Sequence, residues 1–165
     1  MRIAIISDSH DNIPNIEKAL AYVKTQGITF MIHCGDICGG EVAKFFAQNF
    51  DGEIHAITGN VTASPENIRE KTAGLNFILH NETGEIEVDG KKIAFNHYPD
   101  QAKKLAQSGK YDLVLYGHTH TPWEEMVGKT KLLNPGTLAG LFQKATFAIY
   151  DTTTDKAQLI LLEKI

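Results

Sequence analysis

Five apolar, strand-like segments of this chain each end in a short polar cluster. The clusters are Asp8-Ser9-His10, Gly35-Asp36, Gly59-Asn60, Asn96-His97 and Gly117-His118-Thr119-His120. In a parallel α/β sheet the carboxyl ends of the strands share one edge, and ligands bind outside that edge. The recurrence therefore predicts that side chains from several strand ends meet in one site.

The first half of the sequence alternates strand-like and helix-like segments. The first helix has a cap at Asp11 or Asn12 and ends at Gly27, with Ile16, Leu20 and Val23 forming its apolar face. The alternation predicts parallel strands joined by right-handed crossovers. Strands are predicted over residues 2–7, 29–33 and 53–58, and further helices over residues 41–49 and 65–72.

The second half is mainly strand-like, and its strands are expected to be antiparallel. Asp89-Gly90 predicts a hairpin turn. We expect one domain over residues 1–165, of the α/β class, in which two sheets pack face to face with helices outside. The predicted strands cover residues 75–80, 85–88, 92–96, 113–116, 124–127, 131–133, 145–150 and 158–163, with one helix over residues 100–108.

Charge and composition exclude several classes of partner. The net charge of −4 provides no basic face for duplex nucleic acid. Arg2 and Arg69 are the two arginines of the sequence, so bidentate arginine contacts cannot be the main device for binding phosphate. If the substrate is a phosphate, metal ions are the expected counter-charge.

The sequence contains no apolar run of about eighteen residues or more, which argues against a membrane span. The apolar start ends at Asp8 and is too short for a signal peptide, so we expect a cytoplasmic protein with reduced thiols. A zinc site built on Cys34 and Cys38 would need a second ligand pair, and none follows at ligand spacing. Cys34 is expected to be a small buried residue.

The residue types of the clusters favour two divalent metal ions. Residues two apart in an extended backbone point to the same side, so Asp8 and His10, like His118 and His120, are expected to face one cavity. Carboxylate, amide and imidazole ligands suit Mn²⁺, Fe²⁺, Co²⁺, Ni²⁺ or Zn²⁺. Asp36 is the expected bridge between two ions roughly 3.5–4 Å apart, and a water between them would attack phosphorus in line. The pattern thus predicts hydrolysis of a phosphate ester.

The same series of residues resembles the signature of the calcineurin-like metallophosphoesterases. Asn134-Pro135-Gly136-Thr137 is similar to the Asn-Pro-Gly-Ser turn of the small bacterial and archaeal phosphodiesterases in that family. The resemblance extends from residue 3 to about residue 150. It implies a four-layer α/β/β/α sandwich with two mixed sheets and a phosphodiesterase that acts on a small phosphodiester.

The resemblance also implies a role for each residue. Mn²⁺ or Ni²⁺ is the expected metal, with Fe, Co²⁺ or Zn²⁺ as alternatives. Asp36, Asn60 and His97 are the expected catalytic residues, and Asn12, Asn60 and Tyr98 the expected substrate contacts. One ion would be held by Asp8, His10 and His120, the other by Asn60, His97 and His118, with Asp36 shared.

Two positions depart from the family pattern. Relatives commonly place Cys or His after the Asn of Gly-Asn, whereas this chain has Val61, which cannot donate a proton to a leaving alkoxide. Relatives also usually have Gly after the His at position 97, where this chain has Tyr98. The absence of the donor favours diesters with good leaving groups over monoesters.

Several alternatives remain open at this point. A phosphomonoesterase would use the same residues, and the retromer complex contains a protein-binding scaffold of the same fold. The oligomeric state is open as well, with a homodimer or higher homo-oligomer among the alternatives. His33, His55 and His80 match no family position and are interpreted as structural or surface residues. Trp123 and Phe142 would pack near the site or fill the core, and the core is favoured.

Overall fold

The computed structural model describes residues 1–62 and 64–165. The strands are β1 (Arg2–Ile6), β2 (Phe30–His33), β3 (Glu53–Ala56), β4 (Phe77–Leu79), β5 (Thr83–Val88), β6 (Lys91–Asn96), β7 (Leu113–Leu115), β8 (Trp123–Val127), β9 (Thr130–Asn134), β10 (Thr146–Asp151) and β11 (Lys156–Leu161). The helices are α1 (Ile13–Thr25), α2 (Gly40–Asn49), α3 (Pro65–Lys71) and α4 (Pro99–Gln107), and a short 3₁₀ helix covers Leu162–Lys164.

The strands form two mixed sheets. The first sheet has six strands in the order β11-β10-β1-β2-β3-β4, with β1 to β4 parallel and β10 antiparallel to β1. The second has five strands in the order β5-β6-β7-β9-β8, and β6, β7 and β9 are parallel. The expected antiparallel second half is therefore wrong for these three strands, because α4 crosses from β6 to β7 and β8 intervenes between β7 and β9.

Three apolar clusters separate four layers. Helices α1 to α3 cover the outer face of the first sheet, where Ile16, Phe46 and Ile68 are buried. The cluster between the two sheets contains Ile5, Phe95 and other side chains of both sheets. Helix α4 covers the outer face of the second sheet with its alanines packed against strand residues. The predicted α/β/β/α sandwich is thus confirmed.

Helix α1 begins as the sequence predicts. The Asn12 side chain accepts a hydrogen bond from the backbone N–H of Asn15 at 3.3 Å, and Pro14 lies in the first turn. Ile16, Leu20 and Val23 are buried on one face. The cap thus fixes the start of α1 immediately after the loop that follows β1.

The prediction that Trp123 and Phe142 lie in the core is wrong, because both side chains are exposed. Trp123 begins β8, an edge strand, and Phe142 lies in the loop before β10. Cys34 and Cys38 are free thiols, and Cys34 is buried as predicted. Within the described part of the chain, no helix combines the length and apolar character needed to cross a bilayer.

We predict that Phe46→Ala lowers the free energy of unfolding by about 3–5 kcal/mol, since the ring is fully buried beneath the first sheet. Phe45→Ala is the matched control, because Phe45 lies next to it on α2 and is only partly buried. Urea denaturation measures both values. Equal losses for the two variants would show that this interface does not stabilise the fold as described.

Candidate metal centre

The predicted ligands follow strands of both sheets. Asp8, Asp36 and Asn60 come after β1, β2 and β3 of the first sheet, while His97 and His118 come after β6 and β7 of the second. These strands are parallel within each sheet, so their carboxyl ends share an edge. The side chains meet where the edges of the two sheets lie together.

One group of donors consists of Asp8, His10 and His120. The His120 Nε2 atom lies 3.2 Å from Asp8 Oδ1 and 3.3 Å from His10 Nε2. His10 Nε2 is 3.9 Å from Asp8 Oδ1. The three donor atoms are close enough to bind one metal ion.

A second group consists of Asn60, His97 and His118. The Asn60 Oδ1 atom lies 3.0 Å from His97 Nε2 and 2.9 Å from His118 Nδ1. An amide oxygen thus faces one nitrogen of each imidazole. The arrangement brings together the three residues predicted for a second ion.

Asp36 lies between the two groups. Its Oδ2 atom is 3.6 Å from His10 Nε2 and 3.6 Å from His97 Nε2, which belong to different groups. Its Oδ1 atom accepts a hydrogen bond from the backbone N–H of Val61 at 3.0 Å. One carboxylate oxygen is therefore held by the backbone, and the other faces both groups.

The two carboxylates are buried without a lysine or arginine partner among the described ion pairs. Asp8 is 0% exposed and Asp36 2%, and their basic neighbours are histidines. Arg2 binds Gln26, and Arg69 donates to the Leu79 carbonyl at 2.6 Å. Buried carboxylates require a compensating positive charge, which divalent ions provide.

Burial raises the pKa of Asp8. A 2.5 Å hydrogen bond from the Ser7 hydroxyl and the nearby imidazoles of His97 and His120 oppose this effect, while Asp36 adds to it. The carboxylate form of Asp8 thus depends on positive charge brought to the site. Its environment suits a metal ligand.

Backbone carbonyls orient two of the imidazoles. His97 Nδ1–H donates to the Cys34 carbonyl at 2.9 Å, and His120 Nδ1–H donates to the Leu141 carbonyl at 3.1 Å. In each ring the proton is then on Nδ1, which leaves the Nε2 lone pair facing the donor group. Such bonds are the usual support of histidines that bind metals.

The backbone explains how ligands two residues apart reach one site. Asp8, His10, His118 and His120 have φ values of +51°, +40°, +68° and +59°, so the chain is left-handed there rather than extended. The predicted grouping is observed, but the extended alternation proposed for it is wrong. Asp36, with φ of +60°, is a fifth such residue, and strained backbone of this kind concentrates at functional sites.

Two glycines allow the ligands to pack closely. A Cβ atom at Gly59 would lie 2.0 Å from Asp36 Oδ1, and one at Gly117 would lie 2.6 Å from Asp8 Oδ2. Any side chain at these positions would displace a buried carboxylate. The glycines next to the ligands are therefore needed for close approach.

Of the three expected substrate contacts, Tyr98 and Asn60 are exposed at the second donor group, whereas Asn12 is half-buried. Tyr98 is 40% exposed, and its ring centroid is 5.2 Å from those of His97 and His118. Asn12 bonds within the chain, since its Oδ1 caps α1 and its Nδ2 donates to the Ala139 carbonyl at 3.1 Å. Asn60 is exposed as well as part of the second donor group.

The remaining histidines lie outside the donor groups. His55 and His80 contact each other, with 2.8 Å between His55 Nδ1 and His80 Nε2, and His55 also bonds Glu53. His33 is fully buried, and its Nε2 atom lies 3.1 Å from the Ser9 hydroxyl, which donates to the Asp36 carbonyl. The sequence analysis missed this support for the Asp36 loop. The one sequence feature that could have indicated it is a polar residue, His33, at the end of a buried strand next to Gly35-Asp36.

We predict that His33 makes the metal-free protein less stable in acid. Burial lowers its pKa from 6.5 to about 3, with His97 and His10 contributing. Between these two values the unfolded chain binds a proton that the folded chain does not, so stability falls as pH decreases below 6.5. From about pH 7.5 to about pH 5 the loss is about 2 kcal/mol.

The measurement is urea denaturation of the chelator-treated protein across this pH range, with His33→Gln as the comparison. The variant should lose less stability than the wild type on acidification, whatever its stability at neutral pH. Identical pH slopes for the two proteins would refute the prediction.

Comparisons with known proteins identify the family of this chain. Residues 1–155 match the family model of the calcineurin-like phosphoesterase superfamily domain. Phosphodiesterase MJ0936 of Methanocaldococcus jannaschii is 34% identical to this chain, over 99% of this chain and 100% of the relative. Phosphodiesterase YfcE of Escherichia coli K12 is 22% identical, over 84% of this chain and 80% of the relative.

Solved structures share the fold. The structure of an archaeal phosphodiesterase superimposes with a TM-score of 0.91 at 32% identity, covering 98% of this chain and 99% of the other. Vps29 of Entamoeba histolytica, solved with zinc, has a TM-score of 0.71 at 20% identity over 98% and 99% of the two chains, which supports the fold alone. From the family match, the whole-length relative and the shared fold, we conclude that this chain belongs to the calcineurin-like phosphoesterase superfamily.

Proposed function

We propose that this protein is a phosphodiesterase that hydrolyses a small phosphodiester with the help of two divalent metal ions. The observation that carries the proposal is the position of Asp36 Oδ2, which is 3.6 Å from one imidazole of each donor group. A carboxylate oxygen between two sets of donors is the arrangement that a shared ligand requires. The phosphodiesterase relative along the whole chain supports the same reaction class.

Each donor group would hold one ion, with Mn²⁺ or Ni²⁺ as the expected metals and Fe, Co²⁺ or Zn²⁺ as alternatives. Two bound ions would activate a water as the hydroxide nucleophile and would supply positive charge for the phosphoryl oxygens. Asp8, His10 and His120 would hold the first ion, Asn60, His97 and His118 the second, and Asp36 both.

The protein's own groups would position the substrate and keep the ligands in their reactive form. Asn60 faces the two imidazoles through Oδ1, so its exposed amide Nδ2 is free to donate to a phosphoryl oxygen. The carbonyls of Cys34 and Leu141 hold the protons of His97 and His120 on Nδ1. Tyr98 and Asn12 remain proposed substrate contacts.

Val61 restricts the leaving group. Its side chain is exposed at the rim of the site but has no proton to donate, and its backbone N–H is already bonded to Asp36. The departing oxygen would therefore leave as an anion or take its proton from water or from another side chain. This favours esters of acidic alcohols and diesters over alkyl monoesters.

Two other functions compete with this proposal. A phosphomonoesterase would use the same donors, and Val61 argues against it. A protein-binding scaffold of this fold would not need imidazoles that are oriented for metal binding. His97 and His120 are oriented in this way, because a backbone carbonyl accepts the Nδ1–H of each. The cytoplasmic location, the homo-oligomeric state and the extent of one domain over residues 1–165 also stay predictions from the sequence.

We predict that Asp36→Ala and His97→Ala each lower the rate of bis(p-nitrophenyl) phosphate hydrolysis about 100-fold or more, because each removes a donor to the reacting centre. The assay follows nitrophenolate release after chelation and restoration of Mn²⁺ or Ni²⁺. His80→Ala is the control, since His80 bonds His55 and lies outside both donor groups. Wild-type rates in either test variant would rule out the two-ion site.

We also predict that the rate depends steeply on the acidity of the leaving group. For a series of substituted phenyl methyl phosphates, log kcat/KM should fall sharply as the phenol pKa rises, because Val61 gives no proton. Val61→His should flatten this slope by supplying a donor, while Val61→Leu should keep it. The same slope in all three proteins would mean that protonation at this position does not limit the reaction.

A further inference from the structure

The loop between β9 and β10 brings an exposed aromatic ring to the first donor group. Phe142 is 94% exposed, more than any other large apolar side chain among the described residues, and its ring is stacked on that of His120. The centroids are 5.8 Å apart with an interplanar angle of 28°. Phe142 therefore has no core role, and its ring lies beside a proposed metal ligand.

The base of this loop is hydrogen-bonded to the segment that follows β1 and contains Asp8. The backbone N–H of Leu138 donates to the Ser7 carbonyl at 2.9 Å, and that of Ala139 donates to the Asp8 carbonyl at 3.0 Å. Asn15 and Asn12 donate to carbonyls of the same loop. The loop thus has a defined position relative to the first donor group.

The tip of the loop is coupled to His120 itself. The Leu141 carbonyl accepts the Nδ1–H of His120, and Phe142 is the next residue. Phe142 has φ of +62°, a backbone conformation that is unfavourable for bulky residues. The fold maintains this strained backbone and a solvated phenyl ring, both unfavourable, next to the reacting centre.

We propose that Phe142 binds a planar aromatic ester group of the substrate, a nucleobase or an aryl ring, by stacking. This inference rests on the proposed phosphodiesterase function. His120 Nε2 would bind the first ion together with Asp8 and His10, and Phe142 stacks on the same imidazole, so a substituent of a phosphodiester bound at that ion would lie beside the phenyl ring. Stacking on an open aromatic face accepts any base or aryl group and gains free energy without specific hydrogen bonds.

The test holds the leaving group constant and changes the other ester group. The substrates are p-nitrophenyl phenyl phosphate, thymidine 5′-(p-nitrophenyl phosphate) and p-nitrophenyl ethyl phosphate, assayed with wild type, Phe142→Ala and Phe142→Trp. Phe142→Ala should raise KM about tenfold for the phenyl and thymidine substrates, as expected for the loss of one stacking contact, and leave the ethyl substrate unchanged. Phe142→Trp should restore the wild-type KM, and kcat should change little throughout.

A binding measurement separates this inference from the proposed function. Calorimetry with phenyl phosphate and ethyl phosphate should show that Phe142→Ala weakens binding of the first and not of the second. If the wild type binds both but hydrolyses no diester, the proposed function fails while the role of Phe142 is still tested. Equal effects on the phenyl and ethyl compounds, no effect at all, or a change in molecular mass of Phe142→Ala by light scattering would overturn the inference.

Discussion

The burial of two carboxylates at the joined edges of two sheets is the constraint on which the rest of this structure depends. Asp8 and Asp36 are almost inaccessible to water, and burial of Asp8 raises its pKa. Charged groups in such a place require hydrogen-bond donors and opposite charge. Ser7, the Val61 amide and the surrounding histidines supply part of this compensation, and divalent ions would supply the rest.

The same constraint explains the unusual backbone around the site. Nine described residues other than glycine have positive φ, and five of them are the predicted ligands Asp8, His10, Asp36, His118 and His120. Left-handed backbone turns each side chain inward immediately after its strand, and the glycines leave space for it. These unfavourable backbone conformations bring donors from five strand ends together.

Much of the site could be predicted from the sequence, because most of its ligands directly follow a strand. Polar residues at the ends of parallel strands identify Asp8, Asp36 and Asn60. The family resemblance then assigned the histidines to the two ions. The left-handed conformations were not predicted, since Asp and His adopt them more often than most residues but still in a minority of cases, and the local sequence does not show which. His33 bonds Ser9 and Phe142 stacks on His120, and because these partners are distant in the sequence, the local pattern did not reveal what the two side chains contact.

The pairing of β10 with β1 also sets an order for the assembly of the protein. Strand β1 is synthesised before β10, yet β10 is its neighbour on one side, and the loop that holds Asp8 in place comes from residues 137–139. A nascent chain that lacks these residues has the first ligand of the site without its backbone support. The reacting centre can therefore be completed only after residues 137–139 and β10 have been synthesised, so a translation product shortened before them but after His120 would carry all seven proposed ligands and still lack part of the structure that places them.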